Sequence, residues 1–242
     1  MFPDRRVVAG APLHLAAHLT ALGWDARLVA RVGDDADGRA IRDRLVRHGV
    51  DTSLLETDPS LPTGTAAVTL DSSGVPTFSL PHPAAWDAVD GPSPVPGHDV
   101  IYFGTLPLRD QRSRESLTRL LAAGGQRVVD ANLRAPHYDA ERVRFAVAQA
   151  HLFKASEEEL PEVARLLGVP ADPRSLFAFG PEWVCLTRGA AGAELHHRDG
   201  RCWREPGKQV TVVDTVGAGD AFLAALLDSL LPDGDGEAAL RR

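Results

Sequence analysis

Short apolar segments alternate with amphipathic ones between residues 99 and 168, and no other feature constrains the fold of this chain as tightly. Three segments have the apolar, β-rich character of buried strands: DVIYFGTL, QRVVDANLR and HLFKAS. Each is followed by a segment whose apolar residues have helical spacing: RSRESLTRLLAAGG, DAERVRFAVAQA and SEEELPEVARLLG. This alternation predicts a mostly parallel sheet covered by helices on both faces, with binding sites at the carboxyl ends of its strands.

The rest of the chain adds further α/β elements and a small β element. Helical spacing from Ala11 to Leu22, with Gly23 as a stop, predicts a helix. Strands are predicted for DARLVARVG, PEWVCLTRG and GAELHHRDGRCWREP, and TGTAAVTLDSSGVPTFSL predicts a hairpin that forms a lid. The predicted organisation is a first part of an α/β core, a β lid with its return, and a second part of the core, at residues 1–60, 61–85 and 86–242.

Composition limits the partners of the protein. The net charge of -7 over 242 residues gives no electrostatic case for nucleic acid or an anionic membrane as the main partner. Cys185 and Cys202 are too few for a disulfide framework and lack metal-ligand spacing, so we expect reduced thiols and no metal site from them. His196 and His197 alternate faces on a predicted strand, and the sequence alone assembles no Ser/His/Asp or metal cluster from the other histidines. Without a signal peptide or a membrane span, the expected location is cytoplasmic.

The stretch VVDTVGAGDAFLAALL, residues 212–227, joins a glycine-rich turn to a carboxylate, Asp220. Peptide N–H groups around Gly217, Ala218 and Gly219, at the start of a predicted helix, favour an anion. A P-loop would end in Gly-Lys-Ser/Thr, whereas this turn ends in Gly-Asp. Asp220 would repel a resting phosphate but could take a proton from an alcohol that attacks one, which suits phosphoryl transfer. The alternative is a helix N-terminal acid with only a dipole role.

The block DTVGAGDAF resembles the signature of the PfkB/ribokinase family of carbohydrate kinases. Further blocks resemble its fructokinase-like branch in the same order: GAPLHLAAHLTALG, RVGDDADG, HGVDTS, PTGTAAVTL, AWD, YFGTL, VDANLR and FKASEEEL. The resemblance covers almost the whole chain and implies a ribokinase-like three-layer α/β/α sandwich with a small β lid. It also implies an ATP-dependent sugar kinase with Mg²⁺, with K⁺ as a further candidate ion, that forms a homodimer through the lid.

The resemblance implies a role for individual residues. Asp220 would be the base on the sugar hydroxyl, and the anion hole for the transferred phosphate would consist of Gly217, Ala218 and Gly219. The positions implied on the sugar side are Gly10, His14, Gly33, Asp35, Asn132 and Arg134. Those implied on the nucleotide side are Thr187 and Gly189, and Lys154 is a further candidate there because a lysine could bind a phosphate. Glu159 would order Mg²⁺ and its waters, and a monovalent cation site is implied at Asp214 and Thr215.

Structural explanations of several of these residues stay open. Asp35 could be a turn residue at a helix entry, and Asn132 and Arg134 could hold a loop. Lys154 is one of only two lysines in the chain and could be structural. Trp86 could anchor the segment after the lid rather than cover a sugar face.

The chain also departs from the family pattern. Ala9 and His14 stand where the branch usually has glycine and asparagine, which leaves the substrate open, and Ser156 replaces the asparagine of Asn-x-x-Glu. Compared with relatives, the sequence given starts after their first strand and stops before the helices that wall the adenine pocket, so we expect a shortened chain. Two alternatives follow: a kinase for a nucleoside, sugar acid or sugar phosphate, and a catalytically impaired sugar-binding relative.

Overall fold

A computed structural model describes residues 7–70, 76–209, 211 and 215–241. The chain forms two compact units. The first unit takes the described residues within Met1–Pro96, Asp110–Thr118 and Val213–Ala221. The second takes those within Gly97–Arg109, Arg119–Val212 and Phe222–Arg242.

The N-terminal elements belong to the first unit and have these bounds: α1 (Ala11–Ala21), β1 (Ala30–Gly33), α2 (Ala36–Arg47), β2 (Leu55–Asp58), β3 (Ala67–Leu70) and β4 (Pro76–Ser79). β1 and β2 pair in parallel, and α2 connects them. β3 and β4 pair antiparallel, which confirms the predicted hairpin, although its DSSG turn lies outside the described residues.

In the core of the first unit, one face of α1 and one face of α2 pack with the β1–β2 pair. Its most buried members include Leu13 of α1, Val32 of β1, Leu45 of α2 and Leu55 of β2. Full burial of an aliphatic side chain of this size contributes about 1.5–3 kcal/mol. The helical spacing seen in the sequence is therefore the spacing of the residues that face this core.

The later elements have these bounds: β5 (Val100–Gly104), α3 (Gln111–Ala122), β6 (Gln126–Asp130), α4 (Ala140–Gln149), β7 (Leu152–Ser156), α5 (Leu160–Leu167), β8 (Trp183–Thr187), β9 (Ala193–His197), β10 (Cys202–Glu205), α6 (Ala218–Asp233) and α7 (Gly236–Arg241). The six strands form one sheet in the order β10-β9-β8-β7-β6-β5. β5 to β8 are parallel, whereas β9 and β10 run antiparallel. The predicted mostly parallel sheet is confirmed.

The central strands of this sheet are buried on both faces. Four consecutive residues of β7, beginning at Leu152, are buried, and Phe153 is among the largest fully buried side chains. Consecutive burial of this kind indicates that the sheet is covered on both faces. The loops that follow β6, β7 and β8 carry the polar residues Asn132, Glu159 and Arg188.

None of the helices in the described part of the chain combines the length and the apolar character that a bilayer requires.

Asp58, the last residue of β2, is a buried carboxylate that accepts hydrogen bonds from the turn after it. The backbone N–H groups of Leu61 and Ser60 lower the pKa of Asp58 from 3.8 to about 2. Arg31 Nε also lies 2.8 Å from Asp58 Oδ2. The folded chain therefore keeps this carboxylate ionised at a pH at which the unfolded chain has already taken up the proton.

Because the folded pKa is lowered, the stability contributed by Asp58 is present above the unfolded pKa and is lost as the pH falls toward 2. We expect Asp58→Asn to lower the melting temperature at neutral pH. Between about pH 5 and pH 2, the melting temperature of this variant should fall less steeply than that of the unaltered protein. Thermal melts across this range measure both effects, and Asp43→Asn, an exposed change on α2, controls for net charge. If the melting temperatures of Asp58→Asn and the unaltered protein fall equally steeply with pH, the expectation is contradicted.

Candidate active site

The predicted base, Asp220, lies in the first turn of α6 and is 8% exposed. Its Oδ2 atom is 3.1 Å from His14 Nδ1 on α1, a residue 206 positions away in the sequence. A carboxylate can only accept hydrogen bonds, so Nδ1 of His14 carries the proton in this contact. The structure thus brings two predicted site residues into contact. His14, which stands where the family has asparagine, donates a hydrogen bond directly to Asp220.

Gly217 is required by this contact for two reasons. Its φ is +79°, a conformation that residues with a side chain rarely adopt. A Cβ atom at this position would also lie 2.8 Å from His14 Nδ1. The glycine therefore lets the turn before α6 pass close to the imidazole that holds Asp220.

The anion hole predicted around Gly217, Ala218 and Gly219 lies at the start of α6, where the first N–H groups of a helix lack intrahelical partners. The Ala218 N–H donates to the Thr215 carbonyl at 3.1 Å and closes the turn. Asp214, predicted with Thr215 to bind a monovalent cation, lies outside the described residues. The cation site and the anion hole stay predictions.

The predicted sugar-side residues Gly33 and Asp35 are linked by a residue that the sequence analysis missed, Thr63. The Thr63 hydroxyl accepts from the Gly33 N–H and donates to Asp35 Oδ1, at 2.8 and 2.7 Å. Asp35 also caps α2 by accepting from the Gly38 N–H. The backbone N–H of Thr63 is the main reason that the pKa of Asp35 is lowered. The helix-entry explanation thus accounts for these contacts, and sugar binding by Asp35 stays a prediction.

Gly10 caps the N-terminus of α1 and is exposed. Its φ is +143°, and a Cβ atom built there would meet nothing within 4 Å. The backbone at Gly10 is therefore open to close approach by a ligand, as its predicted role in sugar binding requires.

In the second unit, Glu159 ties together the loops that follow β6 and β7. Its Oε1 accepts from the Leu133 N–H at 2.7 Å and its Oε2 from the Ser156 N–H at 3.0 Å. The Ser156 hydroxyl accepts in return from the Glu159 N–H, which is the reciprocal pattern of a capping box. The Ser156 hydroxyl thus helps to close the turn before α5, and Glu159 fixes the backbone beside Asn132 and Arg134.

The remaining predicted residues of this unit also follow strand ends. Asn132, after β6, has a φ of +39°, and Arg134 donates to the Leu133 carbonyl. Thr187 ends β8, and its carbonyl accepts from the Glu157 N–H. Gly189 has a φ of +51° with open space around its Cβ position. These residues share the edge of the parallel sheet at which α/β proteins bind ligands, and their ligand roles stay predictions.

Lys154, predicted on the nucleotide side, is buried in the sheet. Its Nζ atom lies 2.8 Å from Asp130 Oδ2, and the residue is 5% exposed. Burial alone would lower the pKa of Lys154, but the charge of Asp130 and its hydrogen bond raise it. On the next strand, burial raises the pKa of the Cys185 thiol to about 12. The structure therefore favours a structural role for Lys154, and contact with a nucleotide stays a prediction.

A second residue that the sequence analysis missed is Thr105, which is buried after β5. Its hydroxyl donates to the Ala131 carbonyl at 2.9 Å and supports the loop that carries Asn132. Thr63 and Thr105 each lie in a block that resembles the family, but only their hydrogen bonds distinguish them from ordinary threonines.

The mostly parallel sheet, the polar residues at its strand ends and the acid after a glycine turn are those of a ribokinase-like α/β protein. The model of the pfkB family carbohydrate kinases, which are phosphotransferases that act on hydroxyl groups, matches residues 4–242. The chain belongs to this family.

Relatives confirm the fructokinase-like resemblance. A fructokinase from Klebsiella pneumoniae is 33% identical over 238 residues, which cover 93% of this chain and 77% of the relative. The structure of a fructokinase from Vibrio cholerae O395, bound to fructose, ADP and a calcium ion, aligns with a TM-score of 0.80 and 30% identity over 92% of this chain and 76% of the other. The structure of an aminoimidazole riboside kinase from Salmonella enterica, complexed with aminoimidazole riboside and an ATP analogue, aligns with a TM-score of 0.77 and 28% identity. The alignment covers 96% of this chain and 81% of the other.

Proposed function

We propose that the protein is an ATP-dependent sugar kinase of the fructokinase type. The observation that carries the proposal is the buried carboxylate of Asp220, held by His14 directly after the glycine turn at the start of α6. A lysine in its place would only bind phosphate, whereas a carboxylate can accept the proton of an attacking hydroxyl. The similarity to fructokinases supports fructose as the first candidate substrate.

In the proposed reaction, Asp220 accepts the proton of a sugar hydroxyl while the hydroxyl oxygen bonds to the γ-phosphorus of ATP. The bond from that phosphorus to the bridging oxygen breaks, and ADP leaves with the electron pair. N–H groups at the start of α6 stabilise the negative charge on the transferred group. The lid of β3 and β4 would exclude water, which would otherwise accept the phosphoryl group.

Glu159 fits the predicted role of ordering Mg²⁺ through water. A carboxylate has about four lone-pair positions, and two of these accept from the backbone N–H groups of Leu133 and Ser156. The others remain for water molecules of a hard cation that prefers oxygen ligands. Bound Mg²⁺ would neutralise charge on the phosphates. We keep K⁺ as a further candidate ion.

A nucleoside kinase is the second candidate, favoured by the similarity to aminoimidazole riboside kinase and by His14 and Ala9 at the predicted sugar side. A coupled ADP-release assay with fructose, other sugars, sugar acids, sugar phosphates and nucleosides separates the two. Highest kcat/KM with fructose supports the proposal, and highest kcat/KM with aminoimidazole riboside replaces it with the second candidate. If the folded protein releases no ADP with any of these substrates, it is the catalytically impaired relative.

His14 is expected to position Asp220, so its replacement should affect kcat more than KM. A hydrogen bond to a charged group contributes about 1.5–3 kcal/mol, so His14→Ala should lower kcat about 10- to 100-fold. His14→Asn keeps a donor and should lower kcat only a few-fold. Steady-state kinetics with the substrate that the panel selects measure the effects on kcat and KM separately. Equal losses in both variants would show that the imidazole does more than donate this hydrogen bond.

We also propose a homodimer through the lid and a cytoplasmic location. Thr65, Ala66 and Ala67, where the chain enters β3, are exposed, and an exposed strand edge favours pairing with another strand. We expect a dimer by size-exclusion chromatography with light scattering at micromolar concentration. A monomer under these conditions would exclude the lid as a stable interface.

A further inference from the structure

The hairpin formed by β9 and β10 brings three metal-ligand side chains to one face. Glu194 and His196 are two residues apart on β9, so their side chains share a face of the strand. Cys202 is the cross-strand partner of His196, which places its side chain on that face as well. The ligand atoms of the three residues all lie within 4.8 Å of one another.

From this convergence we propose that Glu194, His196 and Cys202 bind a divalent cation, namely Zn²⁺. Carboxylate, imidazole and thiolate are the donor types that Zn²⁺ takes in proteins, and three protein ligands leave the fourth position to water. The soft thiolate makes Mg²⁺ and Ca²⁺ poor occupants of such a site. None of the residues that the proposed phosphoryl transfer uses belongs to it.

The distances between the donors already approach those of a tetrahedral site. Glu194 Oε2 lies 3.0 Å from His196 Nε2, which lies 3.9 Å from Cys202 Sγ. With Zn–N bonds of about 2.0–2.1 Å and a Zn–S bond of about 2.3 Å, tetrahedral geometry separates N from O by about 3.3 Å and N from S by about 3.6 Å. Side-chain shifts of a few tenths of an ångström bring these two distances to those values.

The surroundings of the cluster orient the donors. Glu194 and His196 are 5% and 4% exposed. Arg188 Nη1 and Arg204 Nε both contact Oε1 of Glu194, at 2.9 and 3.1 Å. They leave Oε2 directed at the imidazole, and hydrogen bonds of this kind commonly orient a metal-binding carboxylate.

Coordination has a simple proton balance. The Cys202 thiol loses its proton to solvent, and the proton on His196 Nε2 moves to Nδ1. Nδ1 is buried and makes no hydrogen bond to any residue that the structure describes, so no contact holds the ring in the other tautomer. Because protons leave as the cation binds, affinity falls as the pH is lowered.

The test is a titration of the metal-free full chain with Co²⁺, a spectroscopic substitute for Zn²⁺. We expect a single Co²⁺ per chain to produce thiolate-to-cobalt charge-transfer absorption in the near ultraviolet, and Zn²⁺ to abolish it by displacement. Cys202→Ser should remove the absorption, and Glu194→Gln should weaken binding at least 10-fold. Cys185→Ala, which removes the other cysteine of the chain, should leave it unchanged.

Two controls keep the outcome decisive. Circular dichroism and thermal melts in EDTA establish that each variant is folded before titration, and His196→Asn replaces Cys202→Ser if that variant fails. In the unaltered protein Zn²⁺ should raise the melting temperature, because the cation binds the folded state, whereas in Cys202→Ser it should not. Charge-transfer absorption that persists in Cys202→Ser, or its absence from the unaltered protein at stoichiometric Co²⁺, would overturn the proposal.

Discussion

Asp220→Asn should bind its sugar almost as well as the unaltered protein and turn it over about 10²- to 10⁴-fold more slowly. Asparagine has nearly the same shape and can still accept the hydrogen bond from His14 Nδ1, which lies 3.1 Å from the carboxylate. It cannot accept the proton of the attacking hydroxyl at neutral pH. The loss should therefore appear in kcat, measured by ADP release with fructose or aminoimidazole riboside, whichever the panel selects.

The matched control for this prediction is Asp228→Asn, about two turns farther along α6. It removes one negative charge from the same helix and should leave kcat within about twofold. Calorimetric titration with the sugar separates binding from turnover. Turnover of Asp220→Asn within about threefold of the unaltered protein would show that Asp220 is not the base, and a large loss of sugar binding would assign it a binding role instead.

Lys154→Met should lower the free energy of unfolding by about 3–5 kcal/mol, because it removes the ammonium group that pairs with the buried carboxylate of Asp130. The two groups are 2.8 Å apart, and both side chains are almost fully buried. Urea denaturation measures the loss. The double variant Asp130→Leu/Lys154→Met, which removes both charges, should recover most of the stability.

The chain offers a matched control for this substitution, because Lys208 is its only other lysine and is exposed. Lys208→Met should change stability by less than about 0.5 kcal/mol. The same experiment tests the predicted nucleotide role of Lys154. If Lys154 binds a phosphate, Lys154→Met should raise the KM for ATP with little effect on stability, which would contradict the structural role.

The parallel strands were predictable because their signal is local. Apolar runs bounded by amphipathic segments identified β5, β6, β7 and β8, and the helices that follow the first three of these strands. The strand predicted for DARLVARVG was longer than β1, which begins only at Ala30. Within its first part, Arg27 forms an isolated bridge to Asp51 and no continuous strand. The six-residue helix α7 was not predicted, since so short a segment carries almost no periodicity.

The site was predictable only in part. The glycine turn and Asp220 are adjacent in the sequence, so their motif is visible without a structure. Thr63 was missed because its role depends on a hydrogen bond to Asp35, 28 residues earlier in the sequence. The contacts of Glu159 depend in the same way on the pairing of β6 with β7, which brings Leu133 within reach. Residue type and spacing do not encode such contacts.

The sequence by itself determined the α/β class, the order of most elements and the acid that follows the glycine turn, because periodicity and turn chemistry act over a few residues. Only the tertiary structure decided which distant groups meet. It placed His14 on Asp220, buried Lys154 against Asp130, and set the β9–β10 register that gathers Glu194, His196 and Cys202. The reason is that strand register and helix packing are set by burial over the whole chain, and a shift of one residue turns a side chain to the opposite face.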